Sequence, residues 1–126
     1  MNALTAEWVK KAEGDFATAG RELRARKNPV YDSVCFHAQQ CAEKYLKAYL
    51  NEHGQDVPKI HHLLDLLKLC KEIEPSLEIL QADLRLIERF SVAVRYPGLS
   101  TDKAEAREAF RAAQIVRESI RQKLGA

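Results

Sequence analysis

Apolar residues recur along this chain at the three- and four-residue spacing of helices, and the longest such stretch runs from Asn28 to His53. Advancing 100° per residue, Val30, Val34, Cys41, Tyr45 and Ala48 fall on one line. Tyr31, Cys35, Ala38, Ala42, Leu46 and Tyr49 widen that line into a broad apolar arc. His37, Gln40, Lys44 and Lys47 run down the opposite side, with Glu43 beside them. An arc this wide needs more than one neighbour to cover it, which predicts the central helix of a bundle. Asn28 is placed to cap it, Pro29 to occupy its first turn, and His53-Gly54 to close it. Some 24 residues at 1.5 Å each make a rod of about 36 Å.

The flanking segments repeat the same period. Trp8, Ala12, Phe16, Ala19 and Leu23 predict a first helix from about Thr5, its N-cap, to Arg24. Arg21, Arg24, Arg26 and Lys27 follow as a basic stretch, the expected form of a solvated helix end. Leu63, Leu66, Leu67 and Cys70 predict a short helix over 60–70. Pro75 opens the next, which runs to about Val92 with two stripes, Leu77/Leu80/Leu84/Ile87 and Ile79/Leu86/Phe90/Ala93. One stripe serves the bundle, and the second predicts a contact with another subunit. Pro97-Gly98 suits a type II turn, after which Thr101 is placed to cap a last helix with Ala109, Ala113, Val116, Ile120 and Leu124 facing the core. Lys103, Arg107, Arg111 and Arg121 share another face of that helix. The expected fold is all-α: an antiparallel up-and-down bundle of four long helices plus one short helix, in one domain over residues 1–126.

Composition narrows the function without naming it. The 126 residues are 46% hydrophobic and 30% charged, ordinary for a helical protein. No apolar run approaches the roughly 20 residues of a membrane span, and the first residues lack a signal peptide's apolar stretch, so the expected location is the cytoplasm without membrane contact. A net charge of +2 is too small to declare a nucleic-acid binder. Cys35, Cys41 and Cys70 contain no C-x-x-C, and the first two point about 120° apart on one helix, so reduced thiols are expected.

Candidate chemistry is sparse. His61 and His62 are adjacent and diverge by about 100°, which disfavours a shared metal, and neither a Gly-rich phosphate loop nor H-E-x-x-H is present. Neither a metal nor a cofactor is expected. Arg95-Tyr96 is the better candidate: an arginine beside an aromatic, just before a helix N-terminus, suits a phosphate or base contact. The alternative is a structural arginine clamping the loop onto Glu43 or a helix C-terminus. Gln40, Lys44 and Lys47 either extend a positive surface toward that loop or form an ordinary solvated face.

Set side by side, these stretches resemble a HEPN domain of the compact prokaryotic kind. Trp8-x3-Ala12-x2-Asp15-Phe16-x2-Ala19 is similar to the family's W-x3-A-x2-D-L-x2-A. Phe36-His37-Ala38-Gln39-Gln40-Cys41-Ala42-Glu43-Lys44-x2-Lys47-Ala48 resembles F-x-A-Q-Q-A-A-E-K-x2-K-A, the most specific piece. Ile60-His61-His62-Leu63-x2-Leu66-Leu67 resembles T-H-D-L-x2-L-L, with Ile60 for the Thr and His62 for the Asp, and Val94-Arg95-Tyr96-Pro97 resembles A-R-Y-P. The resemblance implies a homodimer, encoded beside a minimal nucleotidyltransferase, sometimes within a toxin–antitoxin pair. Nucleotide or RNA binding remains the expectation, with Arg95, Tyr96, Lys44, Lys47 and Gln40 as the candidate contacts. Active members resemble metal-independent endoribonucleases built on an Arg, four to six residues and a His. Here Ser100, Thr101 and Asp102 stand where that His should fall, so the chain is not expected to be catalytic by itself. A ribonuclease recruiting His61 or His37 beside Arg95 is the alternative, and a ligand-free helical assembly domain is the third reading.

Overall fold

The second helix is the axis on which every other helix packs. In the computed structural model, which describes all of residues 1–126, α1 (Ala3–Leu23), α2 (Tyr31–Glu52), α3 (Leu63–Ile73), α4 (Gln81–Ala93) and α5 (Lys103–Leu124) are joined without any strand. Thirteen of the 22 residues of α2 are buried, and α2 contacts each of the other four helices. That is the packing its wide apolar arc predicts. The core is one cluster drawn from all five helices, with Tyr45, Leu46, Leu66, Leu84, Ile87 and Ile120 completely enclosed.

Helix starts and bounds differ from the sequence-based expectation for local reasons, and α3 begins at Leu63 where 60 was expected. Asn2, not Thr5, caps α1: its side chain accepts from the Thr5 amide at 2.8 Å, while the Thr5 hydroxyl is taken by Asn51 Nδ2 at 2.8 Å. Asn28 adopts a left-handed φ of +46° and cannot cap α2, whose N-cap is Val30 with its amide donated to Glu22 Oε1 at 2.6 Å. Asp102, not Thr101, caps α5, closing a reciprocal capping box with Glu105. Thr101 instead donates its amide and hydroxyl to Asp32 on α2, at 2.8 and 2.7 Å. The helix expected from Pro75 is divided, with a 3-10 segment over Pro75–Leu80 before α4.

The turn chemistry follows expectation. Gly54 has φ +74° and, with Gln55, donates to the Asn51 and Leu50 carbonyls, the paired bonds that close a helix through a left-handed residue. Gly98 has φ +87° and the Leu99 amide donates to the Tyr96 carbonyl at 3.2 Å, as a type II Pro-Gly turn requires.

The second stripe of α4 is only partly free. Phe90 is 7% exposed and belongs to the core, so it cannot be an interface residue, and Leu86 is half-buried. Ile79 is 78% exposed. The cysteines are free thiols sunk in the core. Burial pushes Cys35 up to about 11 and Cys70 up to about 12, and raises Cys41 further still.

Candidate functional site

Part of the polar side of α2 faces inward: Gln39, Glu43 and Lys47 are buried, while His37, Gln40 and Lys44 are half-exposed. α1 and the α2–α3 connection cover it, which leaves Glu43 4% and Lys47 5% exposed. Lys47 Nζ donates to Glu43 Oε2 at 3.0 Å and lies 5.8 Å from the Trp8 ring centroid. His61 Nδ1 donates to the same oxygen at 3.0 Å, although 72% of the His61 side chain is exposed. Gln39 Nε2 bridges Glu43 Oε1 and the His61 carbonyl, and Gln40 donates to Gln39 at 2.7 Å. Burial pushes the Glu43 carboxyl up, but hydrogen bonds from His61, Lys47 and Gln39 outweigh it and hold the group below its ordinary 4.5.

Of the three candidates from α2, Lys47 is buried, while Gln40 and Lys44 are half-buried and engaged within the chain. Lys47 neutralises Glu43, Gln40 completes the amide chain, and Lys44 pairs with Asp15 of α1. Lys47 is thereby removed from the expected positive surface, because its ammonium is buried against Glu43, whereas Gln40 and Lys44 stay partly exposed while tied to Gln39 and Asp15. His37, one of the two ribonuclease candidates, donates from Nδ1 to the Ser33 carbonyl at 2.9 Å and stands 4.0 Å from Asp15. His61, the other, is committed to Glu43.

Arg95 and Tyr96 occupy the opposite situation. Both are exposed on the Pro97-Gly98 turn, and Arg95 enters none of the chain's ion pairs. A clamp onto Glu43 is excluded, because Lys47, His61 and Gln39 already occupy that carboxylate. The turn itself is anchored through Thr101 to Asp32, so its position follows α2 and not its own side chains.

One part of this face was not legible in the sequence. Leu64, His62, Arg85, Arg89, Glu88 and Val92 line a shallow cleft of about 320 Å³ between the start of α3 and the outer face of α4. Glu88 is buried there and accepts the Leu63 amide at 2.8 Å, joining the two helices. Arg85, Arg89 and Val92 follow the four- and three-residue steps of one helix face, and Arg95 comes three residues later. Only the docking of α3 on α4 brings His62 beside the two arginines. No group of three His, Cys, Asp or Glu side chains is placed to hold a metal, and no helix is long and apolar enough to cross a membrane.

The HEPN domain model matches residues 5–123, nearly the whole chain. The chain belongs to the HEPN family. This HEPN chain is similar in fold and sequence to TT1696 from Thermus thermophilus, known from a crystal structure: TM-score 0.82 and 27% identity, over 94% of this chain and 97% of that one. No curated protein matches it. At the level of the family, membership supports a nucleotide- or RNA-related module.

Proposed function

We propose that this HEPN protein is a nucleotide- or RNA-binding module that acts as a homodimer beside a minimal nucleotidyltransferase, within a toxin–antitoxin pair. The observation that carries binding is the Arg95-Tyr96 pair: an unpaired guanidinium and an exposed phenol ring beside the Pro97-Gly98 turn. A phosphate meets Arg95 while a base stacks on Tyr96. The module binds and does not cleave, since no histidine follows Arg95 and the two candidate histidines are engaged by Glu43 and Ser33. The nucleotidyltransferase partner and the toxin–antitoxin setting rest on the resemblance of the Phe36–Ala48 and Val94–Pro97 segments.

Arg95→Ala should weaken binding of a nucleotide or short RNA by about 1.5–3 kcal/mol, the worth of a hydrogen bond to a charged group. Calorimetry of both proteins against mononucleotides and a short RNA checks this. Equal binding by the two proteins would remove Arg95 from the site.

The dimer surface we propose is the groove between α4 and α5, where Leu86, Ala112 and Ile115 are interleaved with the charged Asp83, Glu108 and Arg111, together with exposed Ile79. Ile79→Asp with Ile115→Asp should give a folded monomer in sedimentation against a dimer for the native chain. A native monomer at all concentrations overturns the assignment. Phe90→Asp, by contrast, buries a charge and unfolds the chain whatever its oligomeric state.

A further inference from the structure

The end of α1 and the start of α5, far apart in sequence, close around a cleft of about 650 Å³ lined by Arg24, Arg26, Tyr31, Lys103 and Arg107, with Pro29 at its wall. All four cations are exposed, and none takes part in an ion pair within the chain. Four carboxylates share this end of the bundle, and each is directed elsewhere. Glu22 accepts the Val30 amide, Asp32 holds Thr101, and Asp102 and Glu105 close the α5 cap. They lower the attraction at long range but leave the guanidinium and ammonium donors free at contact distance. The first turn of α5 adds the positive end of a helix dipole to Lys103.

We infer that this cleft holds successive phosphates of a single-stranded RNA, with Tyr31 offering its ring to a base; the inference rests on the RNA-binding reading and extends it to a second contact. Four cations from two helix ends exceed what one phosphate can engage. A strand matches them, because its charges recur along the backbone and its bases stack without regard to sequence. The connection between Ala93 and Lys103 links the two places: Arg95 and Tyr96 lie at its beginning, and Lys103 follows its end. A strand can bridge two separate contacts, whereas a mononucleotide occupies one.

The test compares native protein, Arg95→Ala and the neutral double variant Arg24→Gln/Arg107→Gln for binding of a short single-stranded RNA, a nucleoside triphosphate and tripolyphosphate. Circular dichroism shows that each variant is folded. The double variant should lose about tenfold or more in RNA affinity. Its slope of log affinity against log salt should fall by about 1.4, two contacts at 0.7 each for a single strand. In nitrogen-15 spectra of the native protein, RNA should move the Arg24 and Arg107 side-chain signals as well as the Tyr96 amide. RNA binding that falls with Arg95→Ala but keeps its affinity and salt slope in the double variant overturns the cleft and leaves the Arg95 reading intact. RNA binding lost in the double variant but unchanged in Arg95→Ala supports the cleft and moves the primary contact away from the turn. Tripolyphosphate binding at the cleft without RNA binding overturns the proposal, and native protein that binds no RNA overturns both readings.

Discussion

Replacing Glu43 by alanine should destabilise the protein by about 3–5 kcal/mol, the cost of removing one member of a buried ion pair. Lys47 would be left at 5% exposure without its carboxylate partner, with only the Trp8 ring beside it. His61 is solvated enough to tolerate the loss, and Gln39 retains the His61 carbonyl as an acceptor. The penalty is therefore concentrated in the orphaned ammonium. Removing both charges together, as Glu43→Met/Lys47→Met, should recover most of the loss, because well-packed apolar groups replace buried ion pairs at little cost. Urea unfolding of the native, single and double variants measures both effects. A double variant as unstable as the single would show that the carboxylate organises the amides and not the ammonium. The sign with pH is fixed by the direction of the shift. The Glu43 carboxyl lies below 4.5 in the folded protein, so its contribution is complete above that value and lost as pH falls through the folded one. Native stability should therefore drop more steeply than that of the double variant in acid.

The second large effect belongs to Glu13, which ties three helices at once. Arg117 of α5 reaches it with Nε and Nη2, both at 2.7 Å, and the Tyr45 hydroxyl of α2 donates to it as well. The Arg117 hydrogen bonds lower the Glu13 carboxyl most; burial opposes them and the Tyr45 bond adds to them. Arg117 also lies 4.7 Å from the Phe16 ring, which stacks on Phe110. Glu13→Gln should cost about 2 kcal/mol, near the lower part of the range for charged hydrogen bonds because the site is partly solvated. Combined with Tyr45→Phe in a double-mutant cycle, it should show a coupling of about 1 kcal/mol. Additivity within error would mean that the arginines of α5, Arg117 and Arg121, account for the effect without Tyr45.

The bundle was legible in the sequence because burial on α2 repeats with the helical period, and the arc of Val34, Cys41 and Tyr45 states it directly. The polar stripe was not. Gln40, Lys44 and Lys47 have the spacing of a solvated face, and periodicity cannot show that α1 brings Asp15 and Trp8 over them. Phe90 misled for the inverse reason: its stripe is apolar, yet the bundle itself covers it. The exposure of Arg95 and Tyr96 was legible because a Pro-Gly turn fixes the loop locally. The cleft of Arg24 and Arg107 was invisible, since the two residues stand far apart in the chain and each alone resembles an ordinary charged helix end.

The buried thiols make this fold its own stopwatch. A thiolate is the species that reacts, and all three are suppressed while the core is closed. Cys35 donates to Thr101, at the join between α2 and the connection that carries Arg95, whereas Cys41 sits in the centre of the cluster. Alkylation of Cys35 would record local lifting of that connection, and alkylation of Cys41 the opening of the whole bundle. The difference between the two rates measures how freely the Arg95 turn moves on a body that stays shut.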